Sequence, residues 1–163
     1  MAEVERLMRT AAVEVGVELP DSEDARWCLG EYFRELAERF ETGFDPGRSN
    51  PALDVDMTPP AGCFVIARID GRAVGCGAFK RQGKTMGEIK RMWTAPSARG
   101  RGVARRVLQT LEAAARASGV KRLRLETNRT LREAQALYRQ EGYQEVAAFN
   151  DEPYAHHWFE KRL

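Results

Sequence analysis

Arg99-Gly100-Arg101-Gly102-Val103-Ala104-Arg105-Arg106 is the stretch on which the reading of this chain turns. It follows an apolar run with strand character, residues 86–94. It opens a helical pattern in which Val103, Val107, Leu111, Ala114 and Ser118 share one face, up to a stop at Gly119. Glycines, lacking a Cβ, let a ligand approach the backbone closely. The first turn of the following helix leaves its N–H groups unpaired, and the helix dipole makes that end partly positive. A strand, a glycine corner and a helix start therefore form a seat for phosphate. Four arginines within the eight residues add formal charge.

Upstream, residues 63–69 and 73–79 read as strands joined by Asp70-Gly71, a two-residue hairpin signal. Residues 81–84 make the next turn. Gly75-Cys76-Gly77 within the second strand signals close packing of backbone. Earlier, Asp21 is placed to cap a helix with Leu29, Tyr32, Phe33, Leu36 and Phe40 on one stripe, and Gly43 to stop it. Asp45-Pro46-Gly47 and Thr58-Pro59-Pro60 mark residues 44–60 as loop. Residues 13–19 alternate weakly, as a first strand would, within an ambiguous stretch 1–20. Downstream, Leu123 and Leu125 mark a short strand. Thr130-Leu131-Arg132-Glu133 has capping-box form ahead of a helix that ends before Gly142, and residues 143–147 and 156–163 are closing strands.

At 163 residues, with 43% apolar and 31% charged content, the chain has the length and composition of one soluble globular domain. A net charge of +2 gives no global reason to expect nucleic acid. The basic residues are nonetheless concentrated in 99–106 and 116–132, against an acidic N-terminal half. Cys28, Cys63 and Cys76 have no paired or metal-ligand spacing and read as small buried residues of a reducing compartment. No basic-then-apolar leader opens the sequence, and no run approaches the ~20 apolar residues of a membrane span. The expectation is a cytoplasmic protein with no metal and no membrane or nucleic-acid partner.

Order and motif together carry a family resemblance. The run from Glu88 through Met92, Trp93, Thr94 and Arg99 to Ala104 resembles the acetyl-CoA-binding motif of the GNAT N-acetyltransferases, Gln/Arg-x-x-Gly-x-Gly/Ala, satisfied here by Arg99, Gly102 and Ala104. Ala134-x-x-Leu137-Tyr138-x-x-x-Gly142-Tyr143 resembles the family's second signature. That signature often begins with Asn three residues before its Ala. Leu131 stands there in this chain, and the nearest asparagine is Asn128.

The resemblance implies a mixed α/β fold: a mostly antiparallel twisted sheet, a central parallel pair splayed apart, and helices on both faces. It implies an acceptor-side helical region at about 1–60 and an acetyl-CoA-binding core at about 61–163 within one domain, and it leaves a homodimer open. The backbone amides of Arg101, Gly102, Val103 and Ala104 would hold the cofactor pyrophosphate, with Arg99 and Gly100 shaping the loop. Met92, Trp93 and Thr94 would carry the pantetheine arm as a pseudo-strand, Asn128 would contact that arm, and Arg105 and Arg106 would lie within reach of the nucleotide's phosphates.

Acyl transfer to an amine requires that the ammonium lose a proton, the thioester oxygen be stabilised and the thiolate leave protonated. The resemblance gives Glu88 the place of a general base and Tyr138 that of the acid. Structural roles compete: Glu88 pairing with Lys90, and Tyr138 as a core aromatic beside Leu137. His156 and His157 are adjacent on a strand and so point to opposite faces, which disfavours a shared metal. Cys76 has no neighbouring histidine to make it a nucleophile.

An acetyl-CoA-dependent N-acetyltransferase acting by direct attack of a primary amine is the expected activity, with a non-catalytic acyl-CoA sensor as the alternative. A nucleic-acid binder lacks interleaved aromatics. A dinucleotide site has the wrong glycine spacing, with Glu126 its only acidic candidate. The acceptor is not legible. Asp45, Asp54, Asp56, Asp151 and Glu152 would suit a cationic amine.

Overall fold

The computed structural model describes residues 13–163; the N-terminal part of the 1–60 region, residues 1–12, lies outside the described residues. The described chain runs β1 (Val13–Val17), α1 (Glu23–Arg39), β2 (Gly62–Ile69), β3 (Arg72–Gln82), β4 (Met86–Thr94), α2 (Val103–Ala117), β5 (Arg122–Thr127), α3 (Arg132–Gln140), β6 (Gln144–Val146) and β7 (His157–Arg162). Over 13–60 this is a strand, one helix and two short 3₁₀ turns. The strands form one mixed sheet in the order β1-β2-β3-β4-β5-β7-β6.

The hairpin signal is borne out: Asp70 and Gly71 both have positive φ, 51° and 79°, the geometry a two-residue turn needs to match strand twist. In β2, Cys63, Val65 and Ala67 enter one core while Phe64 and Ile66 enter the other. A strand buried on both faces reads as a continuous apolar run because each face has its own core. The core on one face is closed by Ala25, Cys28 and Leu29 of α1. The opposite core is closed by Val103, Val107, Leu108 and Leu111 of α2, with Tyr138 of α3 beside them. Each such aliphatic side chain, fully buried, contributes roughly 1.5–3 kcal/mol.

The helix α2 sits hard on the sheet. A Cβ at Gly77 would stand 2.6 Å from Met92 Sδ and 2.7 Å from Val107 Cγ1, and one at Gly75 would stand 3.0 Å from Trp93 O and from Val103 Cγ1. The Gly-Cys-Gly reading as close packing therefore holds.

Two caps differ from the sequence reading. Ser22, not Asp21, caps α1: its hydroxyl oxygen accepts from the Ala25 N–H at 3.1 Å. Helix α3 has no capping box. Its N-cap is Leu131, because Asn128 Oδ1 takes both the Thr130 N–H (3.0 Å) and the Thr130 hydroxyl (2.9 Å). That Asx turn satisfies the segment locally, and Glu133 is drawn instead into an ion pair with Arg39 of α1.

All strand pairs are antiparallel except β4 and β5, which run parallel for three residue pairs only, Met86↔Arg122, Gly87↔Leu123 and Glu88↔Arg124. Beyond Glu88 the two strands part. Strand β5 continues against β7 through Thr127↔His157. The β4 edge that faced β5 is left without a ladder from Ile89 to Thr94. Opposite Gly77, β4 carries an irregularity between the Cys76↔Trp93 and Ala78↔Lys90 pairs, and Arg91 there has φ 60°. The extra residue resets the alternation, so that Met92 packs on the α2 side and Trp93 on the α1 side.

Candidate active site

The gap between β4 and β5 opens two cavities. The larger, of about 530 Å³, is lined by Met92, Trp93 and Thr94 of the free β4 edge, by Arg99, Gly100, Gly102, Val103, Ala104 and Arg105, and by Leu137 and Tyr138 of α3. The N-cap of α2 is Gly102 in the left-handed region, φ 76°, with no capping side chain. The first-turn N–H groups of α2 consequently have no partner in the helix, and an ideal Cβ on Gly100 or Gly102 would meet nothing within 4 Å. Uncapped amides, a positive helix end and open space above two glycines fit a phosphate-bearing ligand. The unpaired β4 edge fits an extended amide-bearing arm that adds as a short strand.

Arginines around this cavity are partly committed. Arg99 donates to Thr94 O at 3.2 Å and pairs with Glu35 of α1. Arg105 meets Glu141 at 3.4 Å. Arg106 donates to Val13 O on β1, away from the cavity lining. Arg101, expected from the sequence to share in the pyrophosphate seat, is not part of the lining of either cavity.

The smaller cavity, of about 110 Å³, lies on the α1 side of the splay. Its walls include Phe40, Phe44 and Tyr154, whose rings pack at 4.8–5.7 Å. Its polar lining includes Lys90, Arg91, Glu126, Asn128 and Glu152. Six residues, Tyr32, Leu36, Met92, Leu131, Ala134 and Tyr138, line both cavities, so the two meet around the Tyr138 ring. Burial pushes the Tyr138 phenol well above its ordinary pKa, with Tyr32 and Glu126 adding to the rise. A phenol in this setting stays protonated through neutral pH.

The residues named from the sequence fall into three groups. Met92, Trp93, Thr94, Arg99, Gly100, Gly102, Val103, Ala104 and Tyr138 are brought together around the larger cavity. Asn128 lines the smaller one instead, where its amide donates to Tyr154 O at 2.8 Å and fixes the 148–156 loop to the end of β5. Glu88 lines neither. It is buried, with Oε1 held by Arg124 at 3.0 Å and Oε2 3.4 Å from Lys90.

Among the acidic residues set aside for a cationic acceptor, Glu152 lines the smaller cavity, where it accepts from the Ser49 hydroxyl at 2.9 Å and the Asn50 N–H at 2.6 Å. Asp45 caps a 3₁₀ turn and Asp54 pairs with Arg26. His156 accepts from the Arg129 N–H and His157 faces Glu145 at 2.8 Å; neither lines either of these two cavities. Cys76 is buried, its thiol donating to Arg91 O at 3.2 Å, and its pKa is raised by the neighbouring Cys28 thiol and by burial.

In the sequence Glu126 is weighed only as the acidic residue of a dinucleotide site, not for the smaller cavity. It stands on the same face of β5 as Arg124, opposite Glu88 and Lys90 of β4. The signal was present: Arg124 and Glu126 alternate with Leu123 and Leu125 at strand spacing.

The open parallel splay beside an uncapped glycine helix start is a seat for a phosphate-bearing ligand with an extended arm, and the fold around it is that of the acetyltransferases to which the chain compares. The profile of the Acetyltransferase (GNAT) family matches residues 29–143, and the chain belongs to that family; it is an acetyltransferase. It is 38% identical over 117 residues to the IAA acetyltransferase of Azospirillum brasilense, covering 71% of this chain and 76% of that protein. Among solved structures it resembles a GNAT acetyltransferase from Kribbella flavida, with a TM-score of 0.68, 25% identity, and coverage of 94% of this chain and 99% of the other. It also resembles the N-acetylglutamate synthase of Neisseria gonorrhoeae complexed with coenzyme A and N-acetyl-glutamate, with a TM-score of 0.68 and 21% identity, over 92% of this chain and 35% of that one. This last likeness is one of fold. Among the described residues no helix is long and apolar enough to cross a membrane.

Proposed function

We propose that this chain transfers the acetyl group of acetyl-CoA to a primary amine, on a small molecule or a protein, by direct attack while both substrates are bound. The carrying observation is the meeting of two cavities at Tyr138, one floored by the α2 start and the other by buried carboxylates. Acetyl-CoA supplies a thioester-activated acetyl group and a thiolate leaving group. The amides of Gly102, Val103 and Ala104 hold the pyrophosphate. The free β4 edge at Met92–Thr94 orients the pantetheine arm and brings the thioester to the junction. Tyr138 gives its phenol proton to the departing sulfur. The larger cavity thus serves the cofactor, and the smaller, with its aromatic wall, takes the acceptor's amine end.

Calorimetry with CoA, set against ATP and NAD, tests the cofactor half of the reading. A thiol-release screen of primary amines with acetyl-CoA tests the other half. CoA binding with thiol release on some amine is the expected result. Failure to bind millimolar CoA overturns the reading, and CoA binding with no release across the screen favours an acyl-CoA sensor.

A further inference from the structure

We propose that Glu126 is the general base that takes the proton from the acceptor's ammonium, with Lys90, Arg124 and Glu88 forming the charged ladder that holds it in place. This rests on the acetyltransferase reading above.

The geometry sorts the carboxylates at the splay. Glu88 has both oxygens engaged, by Arg124 and by Lys90, and lies outside the cavity linings. Glu152 has both oxygens on Ser49 and Asn50. Glu126 differs. Its side chain is 9% exposed, Oε1 takes a hydrogen bond from Lys90 Nζ at 3.3 Å, and Oε2 is fully buried with no partner among the described residues. It lines the smaller cavity, as Tyr138 does from α3.

A buried charged oxygen left unsatisfied is costly, and the deficit is one hydrogen-bond donor, which an incoming ammonium supplies. Burial also lifts the Glu126 carboxyl above the ordinary range, with Lys90 opposing and Glu88 and Glu152 adding to the rise. A base lifted toward neutral pH is better matched to proton transfer than an ordinary carboxylate. The charged and titratable groups around it are Glu88, Lys90 and Arg91 from β4, Arg124 from β5 itself, Glu152 and Tyr154 from the 148–156 loop, Tyr32 from α1 and Tyr138 from α3.

The step balances without any further reactant. One N–H bond of the ammonium breaks, its electron pair stays on nitrogen, and an O–H bond forms on Glu126 Oε2. The freed lone pair makes the new C–N bond as the C–S bond breaks. The sulfur takes the Tyr138 proton, the nitrogen's second proton restores the phenol, and the proton on Glu126 leaves to water.

The test uses the full chain and three proteins: wild type, Glu126→Gln and Glu88→Gln. Phenethylamine with acetyl-CoA is the probe pair for turnover, and CoA binding is measured by calorimetry. Protein labelled with carboxyl-¹³C glutamate is titrated by NMR as a readout that needs no acceptor.

The expectation is unchanged CoA affinity in Glu126→Gln, with turnover at neutral pH down by about 10²–10⁴ and recovering as the solution approaches the amine's own pKa. The acid limb that the Glu126 carboxyl sets in wild type should thus be replaced by one set by the amine. One glutamate resonance titrating above the ordinary range should vanish in Glu126→Gln and persist in Glu88→Gln. Wild-type turnover in Glu126→Gln, or loss of the acid limb in Glu88→Gln alone, overturns the assignment. If phenethylamine is no substrate, a Glu126 resonance in the ordinary carboxylate range overturns it as well, and an elevated one supports it. A wild-type protein that does not bind CoA overturns the acetyltransferase reading instead, a distinct outcome.

Discussion

Replacing Gly102 by valine separates backbone strain from ligand contact. Gly102 has φ 76° and ψ 15°, and a Cβ there would meet no atom of the described residues within 4 Å beyond its own chain neighbours. The variant's intrinsic cost is therefore conformational: roughly 1–2 kcal/mol for an L residue held left-handed. A domain of this size loses about 2–4 °C in Tm per kcal/mol, so the variant should melt about 2–8 °C low and still fold. Gly83 is the matched control, because it also has positive φ, 77°, and nothing within 4 Å, but it sits in the β3–β4 turn outside both cavities. Gly83→Val should lose a similar Tm.

The two variants part when CoA is added. At a hundred times Kd, CoA should stabilise wild type and Gly83→Val by roughly 2.7 kcal/mol. Gly102→Val should show little or no shift, because its isopropyl group occupies the approach to the α2 amides. Thermal scans with and without CoA read both quantities. Equal CoA shifts in all three proteins would refute the placement of the pyrophosphate at the α2 start.

Tyr138→Phe keeps the ring between Tyr143 and Phe159 and removes the proton donor. CoA affinity should hold while turnover falls by about 10²–10⁴, measured by thiol release. Tyr143→Phe acts on stability instead. Its hydroxyl donates to buried Glu112 at 2.8 Å, where Lys161 also reaches at 3.0 Å. Losing one hydrogen bond to a buried charge should cost about 1.5–3 kcal/mol, read as a drop in Tm with turnover per folded molecule unchanged.

The parts of the site visible in the sequence are those that depend on backbone. Gly100 and Gly102 mark where the chain must turn with positive φ, and the Val103–Val107–Leu111 spacing fixes which side of α2 enters the core; both are local properties of eight to fifteen residues. The β4–β5 gap is different. It depends on where a parallel ladder stops, after Glu88↔Arg124, and on an irregularity that leaves Arg91 at φ 60°. Neither has a composition signal, since Arg91 is not a residue type that advertises a left-handed conformation. The setting of Glu126 was hidden for the same reason. Its partner Lys90 and its like-charged neighbour Glu88 lie more than thirty residues away in sequence, and only the register of two strands brings them together. The capping box at Thr130–Glu133 failed because one local and one distant contact took its members: Asn128 reached forward two residues to Thr130, and Arg39 reached across from α1 to Glu133.

The two faces of the β4–β5 pair carry a last point. On the α2 side, Ile89, Leu123 and Leu125 are all buried in an apolar core. On the α1 side of the same strands stand Glu88, Lys90, Arg124 and Glu126, two acids and two bases. Strand geometry does not impose that difference, since successive residues of one strand face both environments. Stability does not call for it either. A buried ion network replaced by well-packed apolar residues is often neutral or more stable by about 1–4 kcal/mol, and here Arg124 Nε and Glu126 Oε2 have no partner among the described residues as well. What a balanced ladder does supply is a carboxylate kept out of water, its position fixed by Lys90 and its charge compensated within the group. An apolar patch would close the splay. The ladder leaves Glu126, one oxygen without a partner among the described residues, in the wall of the smaller cavity.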